Sequence, residues 1–196
     1  MHSIIVTLIL SLMVSFNAAN ANDWSNLSKK KQTTLGLYMT PKQAFDTMQK
    51  DSENVLFVDV RTREEVSFLG MPTVADVNVP YMKLNEWFNW NSKKKNFKME
   101  VNSDFTDVIT ERMNRKQLTK NDKVILICRS GSRSAKAADL LAKLGYTNVY
   151  SVTEGYEGDK AKKGANKGQR VVNGWKNSDL PWSYSLVEAK MYNIGE

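Results

Sequence analysis

Two continuous apolar runs, residues 54–60 (NVLFVDV) and residues 123–128 (KVILIC), constrain the fold of this chain more than any other feature. A run of this length without polar alternation is typical of a strand that is buried on both faces of a sheet. Shorter runs at residues 75–80 (ADVNVP) and 147–152 (TNVYSV) predict two further strands. Such strands belong in the interior of a layered domain.

Helical patterns alternate with these strands. Thr40 is placed as an N-cap, Pro41 as the first helical residue, and Gln43 as the residue that closes a capping box. Apolar residues recur at helical spacing over residues 105–118, and a further helix is expected from about Ser134 to Gly145. The alternation predicts an α/β domain with a mainly parallel central sheet. In such sheets ligands bind beyond the carboxyl ends of the strands, where Cys128 lies.

The first 21 residues differ from the rest of this 196-residue chain. Residues 4–16 (IIVTLILSLMVSF) carry no charge and are too short to span a bilayer comfortably. Ala19 and Ala21 occupy the small-residue positions that signal peptidase needs. We therefore expect residues 1–21 to be a signal peptide that is cleaved after Ala21, and the protein to be exported to the bacterial periplasm. A retained anchor is the alternative, because the n-region is poor in positive charge.

Export changes which chemistry is available to the mature chain. The only histidine is His2, so cleavage would leave no Cys-His or Ser-His pair and no histidine metal ligand. The only cysteine is Cys128, which cannot form an internal disulfide and remains a free thiol. The net charge of +7, from 28 basic and 21 acidic residues, suits anionic small molecules, acidic partners or a membrane surface.

The loop that follows the second apolar run has the composition of an anion cradle. A thiolate is stabilised by the N-terminal end of a helix, by backbone N–H groups, and by nearby positive charge. Gly131 and its neighbouring serines would let the N–H groups curl inward, Arg129 and Arg133 would add charge, and Arg133 is expected to return toward the sulfur. We expect the loop to be exposed. The alternative is an inert, buried thiol.

Residues 55–61, 77–80 and 124–152 together resemble the rhodanese (thiosulfate sulfurtransferase) family in its single-domain form. The resemblance extends over about residues 41–182, and its specificity lies in the six-residue loop that runs from Cys128 to Arg133. Related dual-specificity phosphatases have a loop that is one residue longer, which would put their arginine at Ser134. The resemblance implies a rhodanese-like domain over residues 40–183, with a mainly parallel sheet flanked by helices on both faces.

The same resemblance implies a two-step sulfur transfer without a cofactor or a metal. Cys128 would be the catalytic nucleophile. The substrate-binding residues would be Arg129, Ser130, Gly131, Ser132, Arg133 and Ser134. The partners would be a small anionic sulfur donor such as thiosulfate and a thiol or protein sulfur acceptor, with no nucleic acid and no stable membrane insertion after cleavage.

The sequence departs from the family pattern in several places. Met71 follows Gly70 where the family has a histidine, and the closing glycine and tryptophan (Gly155 and Trp182) are separated by a basic insertion at residues 158–170. A second insertion at residues 85–104 holds aromatic residues and a lysine run, and both insertions are expected to be solvated loops. Residues 22–39 are expected to be a loosely held arm, and residues 184–196 a C-terminal tail. The aspartate and arginine of DVR (residues 59–61) are interpreted as a structural ion pair.

Three other functions stay open at the level of sequence. The loop could dock a sulfur carrier or a partner protein without catalysis. Cys128 could also serve a phosphatase or an arsenate reductase. A redox sensor that oxidises this thiol reversibly is the third alternative.

Overall fold

The computed structural model describes residues 23–192 except Glu86 and Phe88. The predicted signal peptide lies outside the described residues. The described part of the chain contains the helices α1 Pro41–Asp51, α2 Arg63–Leu69, α3 Phe105–Arg115 and α4 Ser132–Lys143. Its strands are β1 Tyr38–Met39, β2 Val55–Asp59, β3 Met71–Pro72, β4 Val77–Asn78, β5 Met82–Leu84, β6 Trp90–Asn91, β7 Asn96–Phe97, β8 Met99–Val101, β9 Lys123–Ile127, β10 Val149–Val152 and β11 Trp182–Ser183. Short 3-10 helices cover Lys29–Lys31, Ser52–Asn54, Trp175–Ser178 and Glu188–Lys190.

The central sheet has five parallel strands in the order β1-β10-β9-β2-β4. In its centre Val55 pairs with Lys123 and Asp59 pairs with Ile127, so β2 and β9 begin and end together. The predicted parallel sheet is confirmed. The register places the residues that follow Asp59 and Ile127 side by side at one edge, which is where a ligand site is expected.

Helices cover both faces of the sheet, as expected. On one face Phe105, Ile109 and Leu141 from α3 and α4 are buried in an apolar cluster with the strands. On the other face Ala44 of α1 and Val66 of α2 belong to a second cluster. Both central strands are buried throughout apart from Lys123, which explains why their sequences contain continuous apolar runs.

Two capping boxes fix the starts of the helices on the second face. The predicted box at α1 is present, with Thr40 Oγ1 accepting from Gln43 N at 3.1 Å and Gln43 Oε1 accepting from Thr40 N at 2.9 Å. Thr62 and Glu65 form the same arrangement at α2. The second box was not predicted, although Thr-x-x-Glu after a buried strand is its sequence signature.

The two ends of the described chain pack against the domain, which differs from the expectation of a loose arm. Tyr38 and Met39 add the edge strand β1 to the sheet. Lys31 is buried and its Nζ lies 2.9 Å from Asp159 Oδ2. Near the other end, the Tyr192 ring is buried and its hydroxyl donates to Asp104 Oδ2 at 2.5 Å. Strand pairing and ion pairing between residues far apart in sequence hold these segments.

The two insertions take different forms. Residues 85–104 extend from the antiparallel pair β5–β8 and contain the small hairpin β6–β7, outside the central sheet. Residues 158–170 form a loop that is closed by an isolated bridge between Lys160 and Arg170. None of the helices in the described residues has the length and apolar character that crossing a membrane requires.

A buried ion pair lies where β2 ends. Arg61 Nη2 is 2.6 Å from Asp59 Oδ2, and both side chains are fully buried. The same guanidinium donates to Gly70 O at 2.7 Å and stacks on the Tyr156 ring at 3.7 Å. Burial alone would lower the pKa of Arg61, but the negative charge and hydrogen bonds of Asp59 outweigh it and the pKa is raised. The predicted pairing of Asp59 with Arg61 is therefore present in the interior of the domain.

Removal of one member of this pair should destabilise the domain strongly. Arg61→Met leaves Asp59 buried without a positive partner, which costs about 3–5 kcal/mol of unfolding free energy. Lys42→Met, which breaks the exposed pair of Lys42 and Asp46, is the matched control and should cost at most about 1 kcal/mol. Urea denaturation followed by tryptophan fluorescence measures both. An equal loss of unfolding free energy in Arg61→Met and Lys42→Met would contradict a structural role for the buried pair.

Candidate functional site

The candidate site is built from the junction of β9 and α4. Cys128 follows β9 directly, and the chain turns at Gly131 before α4 begins at Ser132. Gly131 has φ of +91°, and a Cβ at this position would lie 2.1 Å from Thr153 O. Only glycine allows this turn, because any side chain would collide with the backbone that follows β10.

The Cys128 thiol is buried, with 1% of the residue exposed. Arg129 is exposed and Ser130, Ser132 and Arg133 are partly exposed, so the expected exposure of the loop applies to its outer residues and not to its sulfur. Its Sγ accepts a hydrogen bond from Gly131 N at 3.1 Å and lies 3.5 Å from Ser134 Oγ. The loop curls over the sulfur and so closes it off from solvent. The structure thus directs one backbone N–H, that of Gly131, at Sγ.

Ser134 lies beneath the sulfur. It is fully buried, donates to Gly131 O at 3.1 Å, and its hydroxyl lies 2.9 Å from that of Ser151 on β10. Ser130 and Ser132 are partly exposed. The three serines thus differ in burial, and their predicted part in substrate binding stays a prediction.

Arg133, which was expected to return toward the sulfur, forms its hydrogen bonds with Glu65. Its Nη1 and Nη2 each donate to one oxygen of Glu65 at 2.6 Å, because a carboxylate matches the guanidinium fork. Burial alone would lower the pKa of Arg133, but the hydrogen bonds and charge of Glu65 outweigh this effect and raise it. Burial would raise the pKa of Glu65, and the hydrogen bonds and charge of Arg133 instead lower it. Both groups are therefore charged near neutral pH.

Arg129 forms a second ion pair on the opposite side of the loop. Its Nε donates to Glu157 Oε2 at 2.5 Å, and the arginine side chain is about half exposed. Glu65 and Glu157 were both missed by the sequence analysis. The capping-box pattern could have found Glu65, whereas no local pattern identifies Glu157, which lies 28 residues away from its partner.

The turn after β10 supports the loop from behind. Tyr156 N donates to Cys128 O at 2.7 Å, and Glu157 N donates to Arg129 O at 3.0 Å. Gly155 has φ of +68°, and a Cβ there would lie 2.5 Å from Ser130 N. The two backbone segments are thus in direct contact, with glycine at each point of closest approach. This contact fixes the position of the Cys128 backbone.

A comparison with protein families and relatives agrees with this architecture. The model of the rhodanese-like domain matches residues 41–162. A Rickettsia rickettsii protein, the RP600 homologue, is 32% identical over 142 residues, which are 72% of this chain and 93% of the relative. Thiosulfate sulfurtransferase 16 of Arabidopsis thaliana is 34% identical over 100 residues, which are 51% of this chain and 69% of that protein.

One solved structure is also similar. The crystal structure of Rv0390 from M. tuberculosis superposes with a TM-score of 0.55 at 28% sequence identity. The match covers 75% of this chain and 96% of that one. The similarity therefore extends over nearly the whole of that structure. Together with the family match at residues 41–162, it supports a single rhodanese-like domain.

Adding a methyl group at Gly155 should disturb the loop. Gly155→Ala places its Cβ against the Ser130 backbone, so we expect about 1–3 kcal/mol of overpacking cost in addition to about 1–2 kcal/mol of backbone strain. Gly164→Ala is the matched control, because Gly164 has a similar φ of +74° and open space around it. Thermal and urea unfolding measure the difference in stability between the two variants. Equal destabilisation would show that the close contact with the loop has no energetic role.

Neutralising Glu65 should give a pH-dependent loss of stability. Glu65→Gln retains a residue that can close the capping box but leaves Arg133 without its counter-charge, which costs about 1.5–3 kcal/mol at neutral pH. The pKa of Glu65 is lowered in the folded state. The greater unfolding free energy of the wild type is therefore fully present above the ordinary glutamate pKa of about 4.3. It is lost as the pH falls through the lower pKa of the folded state.

Denaturant unfolding from pH 7 to pH 3 tests this expectation. Glu64→Gln at the neighbouring exposed position is the control and should match the wild type throughout. A difference between wild type and Glu65→Gln that does not change with pH would contradict a charge-based role for Glu65.

Proposed function

The chain belongs to the rhodanese-like domain family, and from this we propose that it is a sulfurtransferase that carries a sulfane sulfur as a persulfide on Cys128. The single observation that carries the proposal is the position of the Cys128 sulfur. It lies 3.1 Å from Gly131 N, within the six residues 128–133 that follow β9 and include the first two residues of α4. Helix ends and inward-facing N–H groups favour an anionic sulfur at such a position.

In the first step the Cys128 thiolate attacks the outer sulfur of a donor such as thiosulfate. A bond forms between Sγ and the outer sulfur, and the bond between the two sulfur atoms of the donor breaks. The electron pair of the broken bond leaves with sulfite, so that the enzyme carries a persulfide anion. No proton transfer is needed, which suits a mature chain without histidine.

In the second step a thiophile such as cyanide or a thiolate attacks the outer sulfur of the persulfide. The bond between that sulfur and Sγ breaks, and its electron pair returns to Sγ. The products are thiocyanate or a new persulfide and the free Cys128 thiolate. The backbone N–H groups of residues 130–134 would stabilise the charged sulfur in both steps.

The arginines would act on the donor from the rim of the loop. Arg129 and Arg133 stand on opposite sides of the loop, where Glu157 and Glu65 orient them. Because Cys128 is buried, a donor would insert only its outer sulfur and leave its charged oxygens outside, next to the arginines. In this proposal Arg129 and Arg133 bind the anionic donor and do not activate the thiol directly.

A non-catalytic docking module is the second candidate function, and the burial of Cys128 is the observation that favours it. A loop whose thiol never reacts could still bind a sulfur carrier or a partner protein through its rim. Turnover separates the two candidates, since only the sulfurtransferase regenerates its thiol and releases product repeatedly.

We also propose that the protein acts after export to the periplasm. The support is in the sequence alone: the uncharged residues 4–16 and the small residues Ala19 and Ala21. N-terminal sequencing of the protein purified from its native host tests this proposal. A first residue of Asn22 is expected, and a mature chain that retains residues 1–21 would contradict cleavage.

Replacing the nucleophile should abolish transfer. Cys128→Ser keeps the size of the side chain and its contact with Gly131 N, so we expect wild-type unfolding behaviour and thiosulfate:cyanide activity no higher than the uncatalysed reaction. Steady-state thiocyanate formation measures the activity. Retained turnover in the variant would overturn the assignment of Cys128, and a folded wild-type protein without any turnover would favour the docking module.

A further inference from the structure

A cleft of about 1200 Å³ opens beside the candidate site, with Ser130 of the loop on its wall. Its other walls come from the 3-10 helix at Lys29–Lys31 and from the insertion at residues 158–170. Pockets that bind small molecules usually measure about 300–1,000 Å³, so the cleft has room for a ligand considerably larger than thiosulfate. We call it the basic cleft, after the seven basic residues in its lining. Lys31 is one of them, and the six others are Lys30, Lys160, Lys162, Lys163, Lys167 and Arg170.

The positive charge of the basic cleft is largely unbalanced. Asp159 is the single acidic residue in the lining, and it is occupied by Lys31, whose Nζ lies within 3.0 Å of both carboxylate oxygens. Burial would raise the pKa of Asp159, but the hydrogen bond and charge of Lys31 lower it, so this carboxylate is ionised near neutral pH. Among the ion pairs of the described residues, none includes any of the six other basic residues. Like charges held together repel each other, and a bound anion relieves that repulsion.

Arg170 links the basic cleft to the candidate site. Its Nη1 donates to Gly158 O, and its Nε is a buried polar atom without a hydrogen-bond partner in the described part of the chain. Burial, followed by the positive charge of Arg129, lowers the pKa of Arg170. Arg170 and Ser130 of the loop both line the basic cleft. An anion bound to Arg170 would therefore lie close to the loop that holds Cys128.

The base of the insertion is held in place, so the cleft is a built feature of the fold. Asp159 N donates to Asn173 Oδ1 at 2.7 Å, and a Cβ on Gly158 would lie 1.8 Å from Asn173 O. On the other wall, Lys31 is anchored by the same Asp159. The two walls are thus joined at their base, while the four lysines of the insertion stand at the rim.

We propose that the basic cleft is an acceptor subsite, which selects low-molecular-weight thiols that carry two or more carboxylates or phosphates away from their sulfur. The proposal rests on the proposed function, because it names the acceptor of the second step. The acceptor thiolate attacks the outer sulfur of the Cys128 persulfide, a new sulfur–sulfur bond forms, and the electron pair of the broken bond returns to Sγ. The anionic groups of the acceptor meanwhile contact the lysines and Arg170.

Matched peptide probes on the preloaded protein test this subsite. The full-length protein is converted to its persulfide with thiosulfate, desalted, and mixed with acetyl-Cys-Glu-Glu-amide or acetyl-Cys-Gln-Gln-amide, which differ only in charge. The cleft variant combines Lys160→Gln, Lys162→Gln, Lys163→Gln and Lys167→Gln. The control variant combines Lys93→Gln, Lys94→Gln, Lys95→Gln and Lys98→Gln, and so removes the same charge from the exposed hairpin outside the cleft.

The cleft variant should transfer sulfur to the Glu-Glu peptide about tenfold more slowly at low salt, with the Gln-Gln peptide unchanged. The control variant should transfer sulfur to both peptides at the wild-type rate. Added salt should reduce the difference in rate between the wild type and the cleft variant with the Glu-Glu peptide. The proposal would be overturned if the transfer rate of the cleft variant fell equally with both peptides, if it fell equally in both variants, or if it did not fall at all. Inhibition by poly-glutamate that depends on the four lysines, without discrimination between the peptides, would overturn it in favour of an acidic protein partner.

The two proposals fail in distinguishable ways. Thiosulfate:cyanide turnover by the wild-type protein, together with equal rates of transfer from it to the two peptides, would overturn the subsite alone. A wild-type protein that accepts no sulfur from thiosulfate would overturn the proposed function, and the acceptor subsite with it.

Discussion

The contact between the loop at residues 128–131 and the turn at residues 153–158 is the constraint on which the rest of the candidate site depends. The hydrogen bond from Tyr156 N to Cys128 O, at 2.7 Å, joins the ends of two neighbouring parallel strands. Gly131 and Gly155 allow the approach because neither places a Cβ between the two backbones. The burial of the thiol and the direction of the Gly131 N–H group both follow from this contact.

Charged pairs surround the contact and connect it to the sheet. Arg61 stacks on the Tyr156 ring while it pairs with Asp59, so the interior ion pair also supports the turn behind the loop. Glu65 on α2 and Glu157 in the turn hold the two loop arginines at the rim. Each carboxylate comes from a different segment of the chain. The electrostatics of the loop therefore depend on the tertiary fold and not on the loop sequence alone.

Local patterns predicted much of the fold. The continuous apolar runs identified the central strands, and Thr40 with Gln43 identified the start of α1, since neighbouring residues determine both features. The burial of Cys128 was not predicted, because it results from a turn that lies more than 20 residues further along the chain.

Contacts between distant segments account for the other differences from expectation. Lys31 pairs with Asp159, which lies 128 residues away, and this pairing attaches the N-terminal arm to the domain. The polar sequence of the arm had predicted a loosely held segment. The capping-box pattern at Thr62 and Glu65 is visible in the sequence. The hydrogen bonds from Arg133 to Glu65 are not, because they form only when the sheet brings α2 and α4 together. Composition identified the insertion as basic, and only the fold shows that it faces the N-terminal arm across a cleft that reaches Ser130.

The central claim is that Cys128 carries a transferable sulfur. Intact-mass spectrometry of the purified protein after brief treatment with thiosulfate tests it most directly. The account predicts that the wild type gains the mass of a single sulfur atom, that cyanide removes it, and that Cys128→Ser gains nothing. An unmodified wild type, or the same gain in Cys128→Ser, would contradict it.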